Sequence, residues 1–157
     1  MPIDVTKRRF TADEYQRMGQ TGILPPHDRV ELIDGEIVAM SPIGTRHSAA
    51  VDRVARTLIL QASDRAIVRV QGSVRLNLLT EPQPDLVLLR PRNDFYASTH
   101  PGSSDILLII EIADTSIQYD RDVKGPLYAR LGVHEYWLAD LNDDVATETQ
   151  RHRKEHA

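Results

Sequence analysis

The sequence predicts a mixed α/β domain, one sheet packed against helices. Three observations carry that expectation. ILLIIEIA, at residues 106–113, is apolar almost throughout and reads as a central strand covered on both faces. Val51, Val54, Ala55, Leu58 and Ile59 fall on one stripe at helical spacing. Asp34-Gly35 stands between the alternating runs RVELI and EIVAM, a strong short-range hairpin signal.

In chain order, residues 1–10 read as a loose entry. Thr11 and Glu14 have capping-box spacing, so a short helix is expected from Ala12 to Met18, closed by Gly19. In the hairpin, Val30, Leu32, Ile37 and Ala39 are out of phase with Glu31 and Glu36. Glu31 then lies on the solvent face or on a face bordering a site, and taken alone the solvent face is favoured. Ser41-Pro42 ends that strand, and His47 stands at or just before the start of the striped helix. AIVRV (66–70) and SVRLNLL (73–79) read as two strands with Arg69 and Arg75 on an exposed face. Glu81-Pro82-Gln83-Pro84 stiffens entry into the strand DLVLL, and residues 91–104 read as a polar loop. Phe95, Tyr96 and His100 are candidates there for touching a substrate. After the central strand a helix is expected from Asp120 to Leu131, with Pro126 in its first turn or kinking it. HEYWLADL (134–141) is the last strand. One domain over residues 1–141 is expected, followed by a polar tail, 142–157, that is truncated or frayed.

With 157 residues, 41% hydrophobic and 27% charged, the chain has the composition of a soluble globular domain. It has no cysteine, which excludes a thiol nucleophile or a zinc-thiolate site and fits a cytoplasmic setting. No signal-peptide core or membrane-length apolar run is present, so no membrane partner is expected. The formal net charge of -4 disfavours extensive neutralisation of nucleic-acid phosphates.

Pro84 to Lys124 holds the chemistry. A carboxylate inside an aliphatic strand is costly to desolvate unless something pairs with it. Asp85 opens one apolar strand and Glu111 sits within another. Together with the backbone carbonyl of Ile112 they offer the oxygen ligands of a hard divalent cation such as magnesium. Lys124, from the start of the next helix, is placed to orient or deprotonate an attacking water, or to stabilise charge on a scissile phosphate. An internal salt bridge of Lys124 with Glu111 or Asp85 explains the same spacing equally well. His47 is a capping neighbour or a contact to a substrate phosphate.

RVELIDGEIVAMSP, His47 ahead of its helix, PQPDLVLL, Glu111, Lys124 and DRDVKGPLYARLGVHEYWLADL together resemble the Uma-two family of restriction-endonuclease-like proteins. That family belongs to the PD-(D/E)XK nuclease superfamily, and the likeness spans Phe10 to Leu141. The resemblance implies a restriction-endonuclease-like fold and cleavage of DNA with Mg2+ or Mn2+. It implies that Asp85 and Glu111 hold the metal. The superfamily's usual lysine lies two residues after the second acid, where this chain has Ala113; Lys124 matches the family's displaced lysine. Glu31 matches a further family glutamate near the site, which makes it a candidate catalytic residue, and His47 a frequent histidine, a candidate for substrate binding. The tail lacks the alternating Val and Tyr of relatives, which bears on the sheet edge and on a homodimer contact there. The expected function is a Mg-dependent endodeoxyribonuclease; the alternative is a non-catalytic member of the fold that binds nucleic acid or protein.

Overall fold

The computed structural model describes residues 3–143 and the backbone of 148–151. Helix α1 (Ala12–Gln20) starts at the expected capping box: the Glu14 N–H donates to Thr11 Oγ1, and Glu14 accepts from the Thr11 N–H. Gly19 does not close it. The helix runs one residue further, and the positive φ falls at Gly22. Strands β1 (Val30–Ile33) and β2 (Glu36–Ala39) form the predicted hairpin, Val30 opposite Ala39. Asp34 and Gly35 turn it with φ of 49° and 79°, the left-handed pair that a two-residue turn of this hand requires.

Helix α2 (Thr45–Ala62) buries Val51 and Ala55 but leaves Ile59 53% exposed, so the apolar stripe is narrower than its spacing suggested. Strand β3 (Ile67–Val70) follows. Residues 73–79 are not a strand, in contrast to the sequence reading. Val74 and Leu76 do alternate inward, yet the segment pairs through loop contacts to Thr80, Pro82 and Pro101 rather than through a ladder. Arg75 is not on an open face either: it bonds the fully buried Glu81 at 3.0 Å and Asp13 at 2.9 Å. Arg69 lies over the Tyr96 ring.

Strands β4 (Leu86–Leu89), β5 (Ile106–Ala113), β6 (Glu135–Asp140) and β7 (Glu148–Arg151) join β3 in one sheet, ordered β3-β4-β5-β6-β7. Only the β5–β6 pair is parallel. The crossover between them is helical, as a parallel connection demands. It comprises a turn of α3 (Ile117–Tyr119), a π turn over Asp120–Lys124, and α4 (Gly125–Arg130). The helix therefore begins before the expected Asp120. Within the expected tail, residues 148–151 pair with β6; the rest of 144–157 lies outside the described residues.

The central strand is buried as expected, and its two faces divide the core. Ile110 and Ile112 pack with Leu86 against Val51 and Ala55 of α2. Ile109 and Ala113 pack with Val87, Tyr128 and Tyr136 on the other side. Tyr96 of the 91–104 loop joins this second core, while Phe95 is exposed.

Candidate active site

The ladder between β4 and β5 brings the two strand acids together. Leu86 is paired with Ile110 in antiparallel register, so one step further along Asp85 stands opposite Glu111. Both have the parity of Val87 and Ile109, hence the same face of the sheet. Pro84 has no N–H to extend the ladder. The Asp85 carboxylate caps the open edge instead: its Oδ2 accepts the Ile112 N–H at 2.8 Å. In extended backbone a residue's C=O points to the same edge as its N–H, so the Ile112 carbonyl is turned towards Asp85 as well.

Lys124 arrives from the π turn. Pro126 cannot return an N–H to the Asp122 carbonyl, and its ring crowds that group. The helix widens just before it, with the Gly125 N–H reaching back to the Asp120 carbonyl. Such bulges recur at functional positions. The Lys124 ammonium, 3% exposed, lies 2.9 Å from Glu31 Oε1, 3.0 Å from Glu111 Oε1 and 3.9 Å from Asp120 Oδ1. One turn on, Tyr128 OH donates to Glu111 Oε1 at 2.9 Å.

Alternation left Glu31 between the solvent and a face bordering the site, and it lies on the latter. Far from a solvated face, it is 2% exposed, bonded to Lys124 and accepting the Gln83 N–H at Oε2. Strand β1 is covered on both faces, since Leu32 is also fully buried, whereas Glu36 and Ala39 of β2 are exposed. His47 lies in the first turn of α2, with Nε2 3.2 Å from Asp85 Oδ1. Its Nδ1 is buried without a hydrogen-bond partner among the described residues. Phe95, Tyr96 and His100 do not line this site. His100 instead is exposed and lies 3.6 Å from the buried Glu81, away from the cavity.

A cavity of about 460 Å3 opens over these groups, between the segment from Val38 to Gly44 and the stretch from Asp114 to Tyr119. Electrostatics in its floor are set by burial. Desolvation pushes the Glu111 carboxyl up to about 8; Lys124 opposes the shift, and Asp85, Asp120 and Glu31 add to it. Asp120 is raised for the same first reason, against Lys124 and the Ser116 hydroxyl. Burial alone would lower the Lys124 ammonium. The charges of Glu111, Glu31 and Asp120 outweigh it and hold Lys124 above its ordinary value. Lys124 is therefore a permanent cation at neutral pH.

Asp120 and Tyr128 belong to this floor and were not singled out from the sequence. Asp120 stands four residues before Lys124, an ion-pair spacing along a helix, but it reads equally as a residue favouring the helix N-terminus. Tyr128 carries no sequence signal of its own. Among the described residues, no group of three or more His, Asp and Glu side chains is set to hold a metal. The oxygens gathered here are two carboxylates and one carbonyl, a donor set that fits a hard cation retaining several waters.

A mixed sheet with two acids facing each other across antiparallel strands, and a lysine delivered by the parallel crossover, places the chain in the nuclease-like α/β class of folds. A protein from Anabaena variabilis ATCC 29413, described as "a putative nuclease belonging to DUF820", has this fold. It superposes with a TM-score of 0.63 at 18% identity, over 89% of this chain and 83% of its own. At that identity the likeness speaks for the fold alone. The chain belongs to the Uma2 family, "Putative restriction endonuclease", whose profile matches residues 12–155. No curated protein matches it. Among the described residues, no helix is long and apolar enough to cross a membrane.

Proposed function

We propose that this protein is a metal-dependent endonuclease that hydrolyses DNA phosphodiester bonds, with Mg2+ or Mn2+ held by Asp85, Glu111 and the Ile112 carbonyl. The observation that carries the reading is the meeting of Asp85, Glu111 and Lys124 in one buried floor beneath a cavity of about 460 Å3. Family membership and the shared fold agree with it. What the cation supplies when bound is Lewis-acid polarisation of the phosphate and a water of lowered pKa.

The chain's own residues do the rest. Lys124, fixed by Glu31 and Glu111, is too firmly protonated to take a proton from water. Of the two roles its position allows, we assign it the electrostatic one, stabilising negative charge that builds on the phosphate. Glu31 positions that ammonium. Tyr128 fixes the Glu111 carboxylate from behind. His47 anchors Asp85 Oδ1 through Nε2 and lines the cavity, where it serves substrate binding.

The test is cleavage of single-stranded, duplex and branched DNA with Mg2+ or Mn2+. Wild type is expected to cut at least one of them, and Asp85→Asn and Lys124→Met to cut none. Wild-type protein inert on all three argues against the reading. One observation favours the second reading, a non-catalytic binder of the same fold: Glu111 Oε1 is already bonded to both Lys124 and Tyr128. That reading expects DNA binding without turnover and no difference between Lys124→Met and wild type in product formed.

A further inference from the structure

We propose that the cavity takes single-stranded DNA, seating one unpaired nucleotide with its base against Tyr119 and the wall formed by Met40 and Ile43. The inference rests on the nuclease reading above and names the substrate class of that site.

Depth comes first. Glu31, Glu111, Lys124 and Asp85 are between 2% and 7% exposed, at the bottom of the cavity rather than on a surface a rod could lie along. A phosphate reaches them only by entering. The partly open cavity of about 460 Å3 is in the range that surrounds a single small ligand, roughly 300–1,000 Å3. A nucleotide held in a base pair cannot leave its partner to enter such a space without unpairing; one in a single strand can.

The walls point the same way. Proteins that grip a duplex do so by neutralising many phosphates with Lys and Arg, whereas single-strand binders add aromatic stacking to that charge. Among the described residues, the only lysine and arginine lining this cavity are Lys124 and Arg29. Lys124 is held by Glu31 and Glu111, and the Arg29 guanidinium donates to the Ser41 carbonyl. Asp114 at the cavity is paired with Arg46 at 3.9 Å, and the whole chain carries a net charge of -4. What the rim does offer is apolar and aromatic surface: Val38, Met40, Pro42, Ile43 and the half-buried Tyr119. Those groups contact the faces of bases, which only an unstacked strand exposes, and stacking on aromatic rings is the usual means of holding one.

The test compares one end-labelled oligonucleotide, free and annealed to its full complement. Binding is followed by fluorescence anisotropy in metal-free buffer, and cleavage in Mn2+. The single strand is expected to bind about tenfold or more tightly than the duplex and to be cut in preference to it. Tyr119→Ala should weaken single-strand binding about tenfold, and Tyr119→Phe, which keeps the ring, should restore it. A circular dichroism spectrum confirms that both variants fold. Equal binding and cutting of the duplex overturns the inference while leaving the nuclease reading intact, as does Tyr119→Ala binding like wild type. Selective single-strand binding with no cleavage supports the cavity's preference and defeats the nuclease reading. Failure to bind either form overturns the inference.

Discussion

Replacing Lys124 by Met removes one charge from the centre of the site and keeps most of the side-chain volume. Its ammonium is bonded to Glu31 at 2.9 Å and Glu111 at 3.0 Å, with all three groups under 5% exposed. Taking one partner from a buried ion pair leaves an uncompensated charge, at a cost of about 3–5 kcal/mol. For a chain of this length each kcal/mol lowers Tm by about 2–4 °C, so Lys124→Met should melt roughly 10 °C below wild type at pH 8. The deficit has a defined pH dependence. Glu111 is already raised from 4.5 to about 8, so between those values the folded state binds more protons than the unfolded one and stability falls as pH rises. Loss of the opposing ammonium enlarges that effect, and the deficit at pH 5 should be visibly smaller than at pH 8. Glu111→Gln in the Lys124→Met background should recover part of the loss, a coupling that a thermodynamic cycle isolates. Scanning calorimetry of the four proteins at both pH values is the assay. Lys124→Met melting within a degree or two of wild type at pH 8 would refute the buried triad.

Burial raises all five tyrosines, Tyr15 to about 12, and the folded values lie above those of the unfolded chain. Their contribution to stability is present below pH 10 and lost as pH rises beyond it, so tyrosinate absorbance from the fully buried Tyr128 and Tyr136 should appear together with unfolding rather than before it. Glu81 is fully buried against Arg75, Gln16 and His100 and lines no part of the cavity. Glu81→Ala should cost about 1–3 kcal/mol in chemical denaturation, because Arg75 and Gln16 lose their buried acceptor while Arg75 keeps Asp13, with metal binding by the folded protein unchanged. Gly35→Ala places a Cβ 2.5 Å from the Arg9 Cβ at a φ of 79°, and should lower Tm by a few degrees, about 1–2 kcal/mol, with no effect on the site.

What the sequence made legible was mostly what short-range rules govern. The hairpin followed from Asp34-Gly35, α1 from its capping box, and β5 from an unbroken apolar run. The pairing of Asp85 with Glu111 was anticipated from their strand settings, and the β4–β5 register supplies its geometry. The misses have a common cause in tertiary cover. Alternation suggested a strand at 73–79, where Val74 and Leu76 do point inward, yet the backbone is committed to loop partners. The same alternation left Glu31 between solvent and a face bordering a site, and favoured solvent, because nothing local announces that the hairpin's polar face lies on the site. Only the family resemblance put it there. The π turn depends on how Pro126 is accommodated, and it fixes both where the helix starts and how Asp120 meets Lys124.

The most direct measurement is a calorimetric titration of Mn2+ into wild-type protein and into Asp85→Asn. The account predicts a saturable heat of binding at one site in the wild type and its loss in the variant, with both proteins folded. A wild type that binds no cation, or a variant that binds it equally well, would contradict the claim that these strand acids form a metal site.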